Sequence, residues 1–297
     1  MENLERKNEE EDNEDFTSKI MPYEKYAEIE VEKSYSEEPY IFEVKIGDCL
    51  VTYVGVGHSN DPESGMYEKI DELFKEKQPD LVLVEGLDNF EQRKEVLYKQ
   101  LEGRNKKEII QLAGEPRYVL SRAVEFGINA DSPEPKFSEE IMHLLEKGFS
   151  REAVFVFDMT RMLEQYHRKV LQGGSQADIE DYFDRNVKTF AMDAGWEDFD
   201  WSFENYKKLY SELLGKKFDE ANQEILHDFV DPVPWKGKDL AITNRVADES
   251  SLYRDAHIVK EIAEKAKTYQ RILMVFGASH AIMQEPALRY LAENSRT

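Results

Sequence analysis

The alternation of apolar and polar positions predicts an α/β chain. Ile41-Phe42-Glu43-Val44-Lys45-Ile46 alternates as a half-exposed strand does. Gly47-Asp48 then turns the chain, with Cys49 in the same turn, into the apolar run Leu50–Val54, a β-hairpin pattern. A helix follows from Met66 to about Lys77, with Ile70, Leu73 and Phe74 on one face. Gln78-Pro79-Asp80 breaks it, and Leu81–Val84 is a wholly apolar strand ending in Glu85-Gly86. This strand–helix–strand unit predicts parallel pairing through a right-handed crossover.

Charged helices are predicted over 90–103 and 106–126, the second restarting at Gly114-Glu115-Pro116 with Pro116 in its first position. Gly127 caps it. Ile128-Asn129-Ala130 reads as a short strand running into Asp131-Ser132-Pro133-Glu134-Pro135. From Ser138 to about Phe229 the pattern is helical throughout, punctuated at Gly173-Gly174-Ser175, Asp193-Ala194-Gly195 and Asp231-Pro232-Val233-Pro234. A helix is predicted from Val246 to about Thr268, then a buried strand over Ile272–Phe276, then a helix from Met283 to Asn294. The expected fold is one α/β domain over 39–297: a mixed, mainly parallel central sheet flanked by helices. A helical insertion at about 138–230 is expected to cap the carboxyl edge of the sheet as a lid.

Charge changes the picture at the start of the chain. Glu9-Glu10-Glu11-Asp12-Asn13-Glu14-Asp15 has no apolar periodicity, so residues 1–38 read as a disordered acidic leader. Within it, Met21–Ile29 suggests a short amphipathic element, and ordered structure is expected from Tyr40. The leader lacks the basic and apolar regions of a secretory signal. No apolar stretch approaches the ~18 residues of a membrane span. A formal charge of −23 over 297 residues argues against binding nucleic acid through phosphates and against adhesion to anionic membranes. The single cysteine, Cys49, excludes an intramolecular disulfide, and a cytoplasmic setting is compatible with that. The composition is also compatible with a homo-oligomer.

The chemistry concentrates at predicted strand ends. Gly55-Val56-Gly57-His58 follows one buried strand and Gly277-Ala278-Ser279-His280 follows another, each before a helix. Glycine suits a sharp exit from the strand there, because it tolerates backbone angles that other residues resist. In open α/β sheets the carboxyl edge is where ligands bind. Histidine serves there as a general base near neutral pH or as a metal ligand. Glu85 closes a third apolar strand, where an unpaired carboxylate is costly to bury. Two imidazoles and a carboxylate form a set for a divalent metal, Mn, Co or Zn, with room for a water. The same trio can activate water without metal.

Glu115 starts a helix, where it complements the dipole or moves a proton, with Arg117 as its expected partner. Arg254 either stabilises an oxyanion or locks an acid. Secondary candidates are Ser59, Glu134, Asp255, His257 and Ser279. Asp131 lies in the same proline-rich turn as Glu134.

These motifs, in this order, resemble the TraB/Tiki superfamily, related to erythromycin esterases and to ChaN-like haem-binding proteins. The resemblance covers about residues 40–135 and 240–292 and leaves the helical middle unmatched. It implies an α/β core with a carboxyl-edge site, functional roles for His58, Glu85, Glu115 and His280, and a role for Arg254. It also implies hydrolysis of a peptide or small-molecule ester, metal-dependent or carried by histidine and glutamate. The ChaN-like alternative is a non-enzymatic binder of haem or metal.

Overall fold

The computed structural model describes residues 16–29, 35, 38–87, 90–171, 179–219, 223–233 and 240–295. The run Glu9–Asp15 and the turn Gly173–Ser175 lie outside the described residues. The chain is mixed α/β and divides into two compact units, one of 1–135 with 254–297 and one of Lys136–Tyr253. The helical stretch therefore extends past the boundary near 230 read from the sequence.

The first unit holds a five-stranded sheet. Its strands are β1 (Tyr40–Ile46), β2 (Cys49–Val56), β3 (Leu81–Val84), β4 (Asn129–Asp131) and β5 (Arg271–Gly277). Their order is β1-β2-β5-β3-β4. The hairpin β1–β2 is antiparallel, with Ile46 facing Cys49, and the pairs β2–β5, β5–β3 and β3–β4 are parallel. The expected direct pairing of the β2 and β3 runs is corrected here. The last strand in the chain enters between them, a long-range insertion that local pattern does not encode. That insertion sets the exits of β2, β5 and β3 side by side on the carboxyl edge.

Period-two alternation explains why both faces of this sheet are covered. Val54, Val56, Val82, Val84, Leu273 and Val275 point to one face, where they pack with α2 (Gly65–Lys77), α3 (Phe90–Leu101) and α4 (Lys106–Phe126). Val51, Tyr53, Leu81, Leu83, Ile272, Met274 and Phe276 point to the other. There they meet Ile258, Val259 and Ile262 of α10 (Ile242–Ala266) and Ala281, Ala287 and Leu288 of α11 (Ala278–Asn294). Strands buried on both faces read as continuous apolar runs, as these do.

Two further expectations change. Order begins before Tyr40: Phe16 and Ile20 are buried in the same core as Phe42 and Val44. The Met21 N–H donates to the Met283 carbonyl at 2.9 Å, just ahead of α1 (Tyr23–Glu28). In addition, α11 starts at Ala278, five residues before the predicted Met283, so His280 lies in its first turn.

The second unit is helical: α5 (Phe137–Glu146), α6 (Arg151–Leu171), α7 (Ile179–Ala194), α8 (Phe203–Leu214), α9 (Gln223–Val230) and the first part of α10. Its core is rich in aromatics, with Phe155, Phe183, Phe190, Trp196, Phe203, Tyr206 and Tyr210 all buried. Among the described residues, no helix is long and apolar enough to cross a membrane.

Candidate active site

Three strand exits meet at one place. Glu85 follows β3 directly, His58 lies two residues past β2, and His280 lies three past β5. Glu85 Oε2 is 3.9 Å from His58 Nε2, and Glu85 Oε1 is 3.8 Å from His280 Nε2. The carboxylate thus stands between the two imidazoles and faces the same ring nitrogen of each.

The other ring nitrogens are each tied to a separate acid. His58 Nδ1 bonds to Glu115, and His280 Nδ1 to Asp255 at 2.6 Å. Glu115 is buried and reaches His58 through a kink. Ala113 and Gly114 are non-helical, and Gly114 has φ +64°. A Cβ there would lie 2.7 Å from Asn60 Oδ1, so both conformation and space call for glycine. The sequence-read restart at Gly114-Glu115-Pro116 coincides with this kink. Its expected Glu115–Arg117 pairing is corrected: Glu115 turns to His58, and the half-buried Arg117 is held below the ordinary arginine range by burial and by the charge of Arg93.

Two glycines that look equivalent in sequence do different work. Neither Gly55 nor Gly277 has positive φ, so the backbone-freedom argument for them is replaced by one of close approach. A Cβ on Gly55 would meet Ala281 Cβ at 2.7 Å and Ala278 Cα at 3.0 Å, so Gly55 lets α11 sit down on β2. A Cβ on Gly277 would meet His58 Nε2 at 3.1 Å and Glu85 Oε2 at 3.3 Å. Gly277 leaves room for the His58 and Glu85 side chains, and its N–H donates to Glu85 Oε2 at 2.6 Å.

The electrostatics follow from these contacts. Burial pushes the Glu85 carboxyl up. The charges of His280, His58 and Arg254, with the Gly277 N–H, outweigh burial and hold it below the usual carboxylate range. Burial pushes His280 down, but Asp255 and Glu85 outweigh that penalty and the repulsion of Arg254, so its net shift is upward.

Arg254 forms an ion pair with Glu134, whose other oxygen accepts the Gly86 N–H at 2.8 Å. Of its two sequence-read roles, locking an acid is the contact formed. The pair braces the β3 exit against α10. Asp131 pairs with Lys265. Asp255, secondary in the sequence reading, directly contacts His280, and its signal there was adjacency to Arg254 alone. Gln284 had no sequence signal and contacts Asp255 at 2.7 Å. Ser59 shapes the β2–α2 loop: its Oγ accepts the Asp61 N–H at 3.1 Å and its carbonyl accepts the Tyr67 hydroxyl. Ser279 and His257 are partly buried on α11 and α10.

The donor types suit a divalent cation: two Nε2 atoms and a carboxylate, with both Nδ1 atoms anchored by acids, as metal-ligating histidines commonly are. Among the described residues, no three His, Cys, Asp or Glu side chains form a group that could hold a metal ion as they stand. No family model, curated protein or solved structure matches the chain.

Proposed function

We propose that the chain is a hydrolase of the TraB/Tiki and erythromycin esterase-like type, in which His58, Glu85 and His280 activate water to cleave an ester or peptide bond. The carrying observation is Glu85 facing the Nε2 atoms of two imidazoles whose Nδ1 atoms are each held by another acid. In this reading His280 Nε2 takes a proton from water as the water oxygen bonds to the substrate carbonyl carbon. The carbonyl π pair moves to oxygen. When that pair returns, the bond to the leaving group breaks, and the leaving oxygen or nitrogen takes a proton from an imidazolium. Glu85 orients the water and stabilises the positive ring. The exposed His58 suits proton delivery to the leaving group, with Glu115 fixing its ring. A divalent cation on His58, Glu85 and His280, when bound, would supply Lewis acidity and a more acidic water.

The test is an assay of the full chain against p-nitrophenyl esters and a peptide library, with wild type beside Glu85→Gln and His280→Ala. Metal analysis and an absorption spectrum of the same preparation accompany it. Turnover lost in both variants is expected. Absent turnover in wild type, turnover unaffected by both substitutions, or a stoichiometric haem Soret band would sink the proposal.

A further inference from the structure

A buried chain of hydrogen bonds runs outward from His280. His280 Nδ1 is 2.6 Å from Asp255 Oδ1. The same oxygen accepts from Gln284 Nε2 at 2.7 Å. Gln284 Oε1 in turn accepts from the Tyr53 hydroxyl at 2.9 Å. Asp255 and Gln284 are 1% and 0% exposed, and Tyr53 is 0% exposed, so water does not compete for these groups.

The direction of every bond in the chain is fixed by what each group can donate. An amide has one donating end and one accepting end. The Tyr53 hydroxyl is pushed well above the usual tyrosine range by burial and by the nearby Asp255, Glu85 and Glu134, so it keeps its proton and donates. Gln284 therefore presents its oxygen to Tyr53 and its NH2 to Asp255. The reversed amide would set oxygen against oxygen at Asp255. Tyr53 cannot swing away, since its ring stacks on Phe42 at 5.1 Å and meets Phe276 edge-on at 6.3 Å. Asp255 is thus held as an acceptor at the place where His280 Nδ1 needs one.

We infer that Gln284 and Tyr53 are positioning residues that, through Asp255, lock the neutral His280 ring in the Nδ1-protonated form with Nε2 bare towards Glu85. A free histidine side chain favours the opposite tautomer, with the proton on Nε2, and such a ring offers a donor where a general base needs a lone pair. The catalytic value of the lock rests on the hydrolase reading above. The tautomer itself does not, and it is read without substrate.

The experiment uses the full chain labelled with 15N in histidine, at a pH where the ring is neutral. Long-range 1H–15N correlation distinguishes protonated from bare ring nitrogens, and the His280 signals are identified by their loss in His280→Gln. Wild type is expected to show a protonated Nδ1 and a bare Nε2. Gln284→Leu and Tyr53→Phe are expected to populate the Nε2-protonated form, each lost hydrogen bond shifting the tautomer ratio by roughly fivefold. Asp255→Asn places an amide donor at Nδ1 and is expected to reverse the tautomer. Tyr53→Phe keeps the packed ring and decides the matter if Gln284→Leu fails to fold. A wild-type ring protonated at Nε2, or an unchanged pattern in the folded variants, overturns the inference. A locked tautomer in a protein without turnover leaves this inference standing and removes only the hydrolase reading.

Discussion

His58 and His280 occupy matching positions in two copies of one sequence pattern, yet the fold treats them differently. The His280 side chain is 12% exposed and sits in the first turn of a helix, with its acid, Asp255, buried and itself held by Gln284. The His58 side chain is 60% exposed and sits in the loop between β2 and α2, tied to Glu115 across a glycine kink. Both rings turn Nε2 towards Glu85. On the proposed hydrolase reading the contrast suggests a division of labour between a buried imidazole and an exposed one. A base gains most from fixed geometry, whereas an acid that follows a departing group tolerates movement.

The largest expected effect separates the two rings directly. On that reading, His280→Ala should lower kcat/KM by roughly a thousandfold and His58→Ala by about a hundredfold, within the usual range for acid–base groups. Equal losses in steady-state kinetics would break the comparison. Next is the brace on the buried side. Arg254→Ala leaves Glu134 buried without its cation and should cost about 3 kcal/mol in urea unfolding. A cost under about 1 kcal/mol would mean that the pair is solvated.

The glycines sharpen the contrast further. At Gly55 the added Cβ meets the Ala278 backbone and Ala281, which have no free end to yield, so Gly55→Ala should cost about 2–3 kcal/mol of stability. At Gly277 the nearest atoms are side-chain ends, His58 Nε2 at 3.1 Å and Glu85 Oε2 at 3.3 Å, which need give by only a few tenths of an ångström. Gly277→Ala should therefore cost about 1 kcal/mol or less but lower turnover about tenfold. The reverse pattern would show that the two glycines have been misassigned.

The smallest effect is in pH dependence. His280 has its folded pKa raised above 6.5, so it contributes stability that is fully present below 6.5 and lost as pH rises through the folded value. Activity that needs its bare Nε2 should rise over that same window. Glu85, with its pKa lowered from 4.5, contributes in the opposite sense: its share is present above 4.5 and lost as pH falls through the folded value. Subtracting the stability–pH curve of His280→Gln from that of wild type isolates the first effect. A flat difference across neutral pH contradicts it.

The sequence determined most of the elements and singled out the candidate site residues. Alternation placed the half-exposed edge strand β1, and apolar runs bounded by Gly, Pro and Asp placed β2, β3 and β5, because strands buried on both faces leave few polar positions inside them. His58, Glu85 and His280 were legible because each ends such a run, where a polar group needs a reason to be present. Glu115 was legible through the Gly-Glu-Pro restart. Tertiary structure alone decided that β5 slips between β2 and β3, and so that the three exits meet. It also decided that Phe16 and Ile20 join the core beside α11, and that two like glycines serve different neighbours. Asp255 and Gln284 show the limit most plainly. In a helical stretch a buried acid and a buried amide look like ordinary polar positions. Only the packing of α10 against α11, with β5 between them in the chain, brings Asp255 to His280 and Gln284 to Asp255. Local pattern records what each residue must bury; which groups then face one another is set by long-range contacts.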